Sequence, residues 1–352
     1  MRYPSVVRRA AAVVTAMGVL GALLSAGPPT ARAEPGQAVP PVPATTAPDG
    51  SRILDISVVD DRHLLMTVFS AAMNTELQVE VDRPVDISAP RPVLYLLSGG
   101  SGGIGQASWD RQTGASEFLT GKNVNVVQPL GGAGSYYADW RSPDPFLGVV
   151  KWKTYLTDEL PPLIDSALGT TGVNAIAGVS MSGTSVLQLA IAKPGLYRSV
   201  ASYSGCAQIS DALGQAYVRL TSAYSGGDAG NMYGPPGDPM WSANDPFTHA
   251  EGLRGMDIYL SSGNGMPGPY DKAGDRHLVG GGDALANQIL VGGMIEVAVD
   301  QCTRNLAARL ADLDIPATVE LRPYGTHSWG YWADELHASW PLLAHSLDLQ
   351  AS

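Results

Sequence analysis

Charged side chains are scarce in this chain, where Asp, Glu, Lys and Arg make up 16% of the 352 residues. The charges are also unbalanced, since 33 acidic residues against 22 basic ones leave a net charge of −11. A protein that mainly binds nucleic acid needs clustered Lys and Arg to neutralise phosphates, so that class is excluded. With 45% hydrophobic residues, the low charge also excludes a disordered chain and predicts a sizeable core.

Cysteine is equally scarce, and Cys206 and Cys302 are the two that the chain has. Two cysteines exclude a disulfide scaffold and a four-cysteine zinc site, and they allow one bridge at most. No group of side chains has the spacing of metal ligands, so zinc-dependent hydrolysis is not expected. No Gly-Lys-Ser/Thr follows the glycine-rich segment 98–103, so that segment is not a phosphate-binding loop. We therefore expect neither a metal nor a cofactor.

A long apolar run occurs only near the N-terminus. Three arginines within the first nine residues precede the apolar segment 10–26, and Ala31-Arg32-Ala33 follows it. This order predicts a signal peptide over residues 1–33, cleaved after Ala33, and export to the cell envelope or beyond. The alternative is an uncleaved anchor, because about 17 apolar residues just span a bilayer. Cleavage would remove four arginines and no acidic residue, which deepens the net charge to −15.

The rest of the chain divides into a tether and one domain. Residues 34–52 are rich in Pro, Ala and Thr without apolar periodicity, which predicts an extended tether. Residues 53–352 then alternate short apolar runs with helical segments after a β-rich start, which predicts an α/β fold with a mostly parallel sheet. Residues 204–256 are interpreted as a loop-rich insertion near a site. Strands are predicted at 53–59, 64–70, 76–81, 93–97, 124–128, 175–179, 199–203, 258–261 and 318–321, and helices at 151–168, 182–193, 284–312 and 329–347.

The strongest chemical signal is the segment 177–183, AGVSMSG. It follows a buried strand and opens a helix, and small residues flank Ser180 two positions away on each side. This pattern is typical of a nucleophile elbow, in which a tight turn exposes the serine hydroxyl. The alternative interpretation is an ordinary helix N-cap serine. Ser182 is the rival nucleophile, but it lies one step into the helix.

A serine nucleophile needs a histidine base and an acid that orients it. Of the six histidines, His327 lies between the last strand and the last helix, where this arrangement requires the base. Spacing leaves the acid open between Asp271, Asp275 and Glu296. The oxyanion would be bound by the amide of Met181, which follows the nucleophile, and by the glycine-rich loop 98–103.

Six segments together resemble the mycolyltransferases of the antigen 85 type and their corynebacterial relatives. They run in the family's order over roughly residues 53–345. The Trp-Asp, Tyr-x-Asp-Trp and Thr-His-Ser-Trp clusters among them are more specific than the elbow alone. The segments are Leu94-Tyr95-Leu96-Leu97, Ser108-Trp109-Asp110, Ser135-Tyr136-Tyr137-Ala138-Asp139-Trp140, Lys151-Trp152-Lys153-Thr154-Tyr155-Leu156-Thr157, Gly178-Val179-Ser180-Met181 and Gly325-Thr326-His327-Ser328-Trp329.

The resemblance implies an α/β-hydrolase fold, with helices on both faces of the sheet, and a serine that takes a mycolyl group from trehalose monomycolate. The acyl group would then pass to trehalose or another cell-wall sugar, so acyl-sugar lipids are the implied partners. Carried over by position, Ser180 is the nucleophile, His327 the base and Glu296 the acid. The Gly100 amide becomes the second oxyanion donor, and Trp329 lines the site.

Two features depart from the family. Where antigen 85 proteins carry an Asp and an Arg that contact the sugar, this chain has Ser98 and Ser101. These two serines are the predicted substrate contacts of the loop, and the sugar acceptor is open. Cys206 and Cys302 also differ from antigen 85, and export into an oxidising compartment favours a disulfide between them. Such a bridge would hold the helix of the proposed acid against the sheet. A secreted carboxylesterase or lipase with the same triad, and a non-catalytic binding protein on a hydrolase fold, are the alternative functions.

Overall fold

The computed structural model describes residues 45–350. The predicted signal peptide and residues 34–44 of the predicted tether lie outside this range. Residues 45–52, the described end of the predicted tether, form a turn and not the extended segment that the sequence predicts. The Ala47 N–H donates to the Ser51 carbonyl at 2.8 Å, and the Asp49 carboxylate accepts from the Ser51 N–H at 2.9 Å. Asp-Gly after a proline is a turn-forming sequence, which explains the difference.

A nine-stranded sheet forms the centre of the domain, in the order β1-β2-β3-β5-β4-β6-β7-β8-β9. The first three strands pair antiparallel, and β3 joins β5 in the same way. The six strands from β5 to β9 are parallel, so the mostly parallel sheet predicted from the sequence is confirmed. The strands are β1 Arg52–Val58, β2 His63–Ser70, β3 Thr75–Asp82, β4 Val93–Leu97, β5 Asn125–Leu130, β6 Asn174–Val179, β7 Ser199–Tyr203, β8 Asp257–Ser262 and β9 Thr318–Leu321.

Helices connect the parallel strands. A single turn of π-helix, Tyr155–Glu159, joins α3 to α4, another, Gln288–Gly292, joins α9 to α10, and Ala250–Leu253 is a 3₁₀ turn. No helix within residues 45–350 has the length and apolarity needed to cross a bilayer. The α-helices are α1 Trp109–Thr113, α2 Ala115–Leu119, α3 Trp152–Thr154, α4 Leu160–Leu168, α5 Met181–Ala192, α6 Ala212–Tyr224, α7 Ala229–Tyr233, α8 Pro239–Ala243, α9 Ala284–Asn287, α10 Gly293–Asp312 and α11 Trp329–Ser346.

The segment 204–256, predicted to be loop-rich, contains α6, α7, α8 and the 3₁₀ turn, separated by loops. The sequence analysis did not predict these helices. Asp211, Asp228 and Asp238 each cap the helix that follows through a hydrogen bond from a backbone N–H. Such caps satisfy the free amides at a helix start, so three short helices can form in sequence that is rich in glycine and proline.

Apolar side chains fill both faces of the sheet. Along β4, Val93, Tyr95 and Leu97 enter one core cluster, while Leu94 and Leu96 enter the other. The first cluster packs under α4, α5 and α10, and the second under α1, α2 and α11. Because successive side chains of a strand point to opposite faces, this continuous apolar run requires cover on both sides. The loops at the carboxyl ends of β4, β6, β7, β8 and β9 carry the site described next.

Candidate active site

The turn between β6 and α5 holds Ser180 in a strained conformation. Its φ of 56° and ψ of −122° are unusual for a residue with a side chain. A Cβ at Gly178 would lie 2.7 Å from the Ser182 carbonyl oxygen, so this position needs glycine. Close approach of strand and helix turns the Ser180 hydroxyl outward, as a nucleophile elbow requires. Strain of this kind is typical of functional sites.

The rival serine, Ser182, has a structural role. Its side chain is fully buried. The hydroxyl donates to the Leu97 carbonyl at 2.9 Å and accepts from the Val179 N–H at 2.8 Å. These bonds tie the end of β4 to the end of β6, so the Ser182 hydroxyl is already engaged beneath the turn.

Three side chains predicted to act together lie in a hydrogen-bonded series. The Ser180 Oγ is 2.7 Å from His327 Nε2, and His327 Nδ1 is 2.7 Å from Glu296 Oε2. Glu296 is fully buried. With the Nδ1 proton donated to the carboxylate, Nε2 is free to accept the serine proton. The arrangement is therefore suited to nucleophilic catalysis by a serine.

Glu296 is oriented by donors from two neighbouring strand ends. Its Oε1 accepts from the Ser204 hydroxyl and from the Gly263 N–H, both at 2.7 Å. Ser204 in turn accepts from Trp332 Nε1 at 3.0 Å. Sequence reasoning missed Ser204, because its role depends on a φ of 51° directly after β7 that no motif reports. A buried carboxylate with three partners is held in one position.

The π-turn Gln288–Gly292 links Glu296 to His327. A π-turn is a widened helical turn that is frequent at functional sites. The Gly292 carbonyl accepts from the His327 backbone N–H at 3.2 Å. Glu296 follows four residues later on the inner face of α10. The segment that carries Glu296 is thus bonded directly to the loop that carries His327.

Asp271, one of the acids considered from the sequence, connects the loops around the site. It does not contact His327. One of its donors, Thr326, precedes His327, and another, Gln288, begins the π-turn. Asp271 accepts four side-chain or backbone hydrogen bonds, from the Gly268 N–H at 2.7 Å, Thr326 Oγ1 at 2.5 Å, Gln288 Nε2 at 2.8 Å and Tyr331 OH at 2.5 Å.

Asp275, the third candidate acid, forms a separate pair with His277. The His277 Nδ1 lies 2.7 Å from Asp275 Oδ1, and both side chains are buried. Burial raises the pKa of Asp275, but hydrogen bonds from the backbone and ring of His277 outweigh it, and the pKa is lowered overall. Asp275 is thus engaged away from the Ser180–His327–Glu296 series.

Two residues with free amides, Met181 and Gly100, lie on the same cavity wall as Ser180. Met181 opens α5, so its N–H has no acceptor in the helix. The Gly100 N–H has no acceptor among the described residues, while its carbonyl accepts from the Gly134 N–H at 3.1 Å. A Cβ at Gly99 would lie 3.4 Å from the Ser180 Cβ, so the loop packs directly against the serine. Both residues lie beside Ser180 on the cavity wall, so their amides stay the predicted oxyanion donors.

Ser180 and His327 open into a cavity of about 850 Å³. Its walls come mainly from α6, the segment 277–299 and the start of α11, and they are largely apolar. Gly100, Met181 and Trp329, all named from the sequence, lie on the wall. Ser98 and Ser101, predicted to contact substrate, do not: Ser98 is buried, and the Ser101 hydroxyl donates to the Ala107 carbonyl at 2.8 Å.

A disulfide joins Cys206 and Cys302, as predicted. Cys206 lies two residues after Ser204 and on the cavity wall. Cys302 lies on α10, six residues after Glu296. The bridge therefore joins the segment after β7 to the helix of the acid, and both ends are close to groups that contact the carboxylate.

Comparison with known proteins decides the family. A family model described as Esterase matches residues 70–343. The chain is 32% identical over 290 residues to "Diacylglycerol acyltransferase/mycolyltransferase Ag85A" of Mycobacterium leprae, covering 80% of this chain and 82% of the relative. It is 31% identical over 295 residues to the Ag85B of Mycobacterium avium, with the same coverage. The chain belongs to the Ag85 acyltransferase/mycolyltransferase family.

Solved structures agree on the fold. MPT51 of Mycobacterium tuberculosis has a TM-score of 0.64 and 21% identity, and the match covers 79% of this chain and 96% of that one. An S-formylglutathione hydrolase from Agrobacterium tumefaciens has a TM-score of 0.55 and 17% identity, covering 84% of this chain and 99% of the other. The predicted α/β-hydrolase fold is confirmed.

Two of the Ag85-like motifs are structural in this chain. The Asp139 carboxylate accepts from the Thr154 N–H at 3.0 Å and from the Thr154 hydroxyl at 2.7 Å. Lys151 Nζ donates to the Trp140 carbonyl at 2.6 Å. The Tyr-x-Asp-Trp segment therefore binds the Lys-Trp-Lys-Thr segment, and none of the four residues that form these bonds lines the cavity.

Proposed function

We propose that this chain is an exported serine acyltransferase that moves a mycolyl group from trehalose monomycolate to trehalose or another cell-wall sugar. One observation carries the proposal: the hydrogen-bonded series Ser180–His327–Glu296 lies at the base of a large apolar cavity. Membership of the Ag85 family supplies the class of acyl donor. Export is proposed from the N-terminal segment 1–33, cleaved after Ala33.

In the first half of the proposed reaction, Ser180 Oγ attacks the ester carbonyl of the donor while His327 Nε2 takes the serine proton. The oxyanion receives the N–H groups of Met181 and Gly100. When the tetrahedral intermediate collapses, the C–O bond to the sugar breaks and His327 returns the proton to the sugar oxygen. The acyl group is then esterified to Ser180. Glu296, hydrogen-bonded to His327 Nδ1, stabilises the imidazolium.

In the second half, a sugar hydroxyl enters beside the acyl-enzyme. His327 Nε2 takes its proton, the hydroxyl oxygen attacks the acyl carbonyl, and collapse releases the new ester and restores the Ser180 hydroxyl. An apolar wall around the ester favours this outcome, because it lowers the local concentration of water as a competing acceptor.

Hydrolysis by the same groups is the second candidate function. The two loop positions at which antigen 85 proteins contact sugar hold Ser98 and Ser101 here, and neither side chain lines the cavity formed by the described residues. With fewer contacts to hold a sugar acceptor, water would compete better. A secreted esterase acting on long-chain esters would then be the outcome.

The test is incubation of the exported protein with trehalose monomycolate, with and without added trehalose. Trehalose dimycolate formed by the parent protein, and reduced by about 10⁶ in Ser180→Ala, would support transfer. Mass spectrometry of the quenched reaction should find the acyl group on the peptide that contains Ser180.

Ser182→Ala is the matched control for the adjacent serine. It should lower thermal stability, because the bond to Leu97 is lost, yet still accumulate an acyl-enzyme. Free mycolic acid as the sole product would favour the esterase. Ligand binding without any acyl product in the parent protein would favour a binding protein, and a loss of only tenfold in Ser180→Ala would mean that Ser180 is misassigned.

A further inference from the structure

Large apolar side chains are exposed around the mouth of the cavity. Leu220 and Tyr224 on α6 are 67% and 95% exposed, and both also line the cavity. Val279 and Val291, on the wall formed by the segment 277–299, are 41% and 48% exposed. Side chains that are exposed and also line a cavity mark its rim.

The exposed apolar surface continues outward along the two helices that form these walls. Leu290, Met294 and Val297 are each more than half exposed and follow one another at four- and three-residue spacing, so they share one face. Leu213 is 59% exposed and lies seven residues before Leu220, on the same face of α6. Together with the rim residues they form the apolar rim surface, which comprises Leu213, Leu220, Tyr224, Val279, Leu290, Val291, Met294 and Val297.

Charge is nearly absent from this surface. Within the described segment 284–299, Glu296 is the one charged side chain, and it is buried. On α6 the one charged side chain is Arg219. Its guanidinium donates to the Gly234 carbonyl at 3.3 Å and lies 5.7 Å from the Trp241 ring, so it is directed toward the protein. Continuous apolar surface without charge, at the entrance to an apolar cavity, is typical of a site that contacts another apolar phase.

We infer that the apolar rim surface seats on an electrically neutral lipid layer, so that an acyl chain passes from the layer into the cavity without crossing water. The inference rests on the proposed function, because a long-chain acyl donor resides in such a layer. Net charge selects a neutral layer over an anionic one. The chain carries −11, the surface has no Lys or Arg cluster to offset it, and anionic headgroups would repel it.

The experiment measures co-flotation with lipid vesicles of protein purified from the medium of cells that export it. The parent protein should float with phosphatidylcholine vesicles and less with phosphatidylglycerol vesicles at low salt. Leu213→Ser combined with Met294→Ser should weaken binding by about 100-fold, since losing each aliphatic side chain that is buried in lipid costs a factor of about ten or more. Neither residue lines the cavity, so hydrolysis of a short, water-soluble ester should be unchanged.

Val59 and Val85 provide the matched control, because they are 68% and 66% exposed. Asp82 pairs with Val126 near the start of β5, and Val58 pairs with Leu64 at the start of β2. Val59 and Val85 therefore lie near the amino-terminal ends of the parallel strands. The site lies at the carboxyl-terminal ends. Val59→Ser combined with Val85→Ser should leave vesicle binding unchanged.

Several results would overturn the inference. Equal binding by the rim variant and the parent, no binding of the parent to neutral vesicles, or preferential binding to anionic vesicles would each do so. A parent dimer that the rim variant converts to a monomer, measured by light scattering, would assign the surface to a second copy instead. Failure of the proposed function can be told apart from failure of this inference. Ser180→Ala should still float with neutral vesicles. A parent protein that floats but transfers no acyl group would refute the proposed acyl transfer and leave the lipid-binding role of the apolar rim surface standing.

Discussion

Removal of the Cys206–Cys302 disulfide should destabilise the domain by an amount set by the loop it closes. The two cysteines are 96 residues apart in sequence. In the chain-entropy model, cross-linking a loop of this length restricts the unfolded chain by about 4.7 kcal/mol at 25 °C. For a domain of about 300 residues, this corresponds to a fall of about 7 °C in the melting temperature.

The measurement is thermal unfolding of the parent and of Cys206→Ala combined with Cys302→Ala, each with and without reductant. Reductant should lower the melting temperature of the parent to that of the double variant and leave the double variant unchanged. Because the bridge joins the segment beside Ser204 to the helix of Glu296, the variant should also lose kcat at 25 °C with little change in KM. A shift below about 2 °C, or a variant that still responds to reductant, would refute the reasoning.

Three further predictions concern buried hydrogen bonds. Asp271→Asn removes an acceptor that holds loops on both sides of the site and should lower kcat at least about tenfold. Asp144→Asn is the control, because it also weakens hydrogen bonds from four donors. It should lower thermal stability and leave kcat unchanged. Burial raises the pKa of Asp144, but those hydrogen bonds outweigh it and lower the pKa to about 2. The ionised carboxylate therefore adds about 2 kcal/mol to the free energy of unfolding, which is present in full above pH 3.8 and is lost as the pH falls toward 2. Asp144→Asn should make acid unfolding less steep over that interval. Ser204→Ala leaves Glu296 Oε1 with one donor and should lower kcat about tenfold with KM unchanged. An equal fall in kcat for the Asp144 variant would contradict the first prediction, and an unchanged acid-unfolding curve the second. A changed KM in the Ser204 variant would contradict the third.

The sequence was sufficient for the sheet because its strands are short, apolar and β-branched. Val93–Leu97, Ser199–Tyr203 and Thr318–Leu321 occur with the predicted ends. Helix α6 was missed for a physical reason. Its buried side is mostly small or polar, with Val218 as its large apolar residue, whereas Leu213, Leu220 and Tyr224 are exposed. The one-sided apolar periodicity that reveals a surface helix is therefore absent.

The acid could not be chosen from spacing because the choice depends on three-dimensional positions. Asp271, Asp275 and Glu296 all lie between the last two strands, and each forms short hydrogen bonds in the structure. What brings Glu296 to His327 is a widened turn of helix, and what orients it is Ser204 in a left-handed conformation. Neither has a reliable sequence signature, and the family resemblance supplied what the residues did not.

The π-turn Gln288–Gly292 has a consequence for insertions and deletions. A five-residue π-turn covers nearly the same rotation as four residues of α-helix, so deleting one residue there would restore regular helix without turning α9 to another face. The deletion would instead alter the widened turn itself, which ends at the Gly292 carbonyl that binds the His327 N–H. An added residue could not be absorbed in the same way and would rotate the preceding segment by about 100° relative to Glu296. Insertions should therefore be tolerated in the preceding glycine-rich loop 280–282 but not across these five residues.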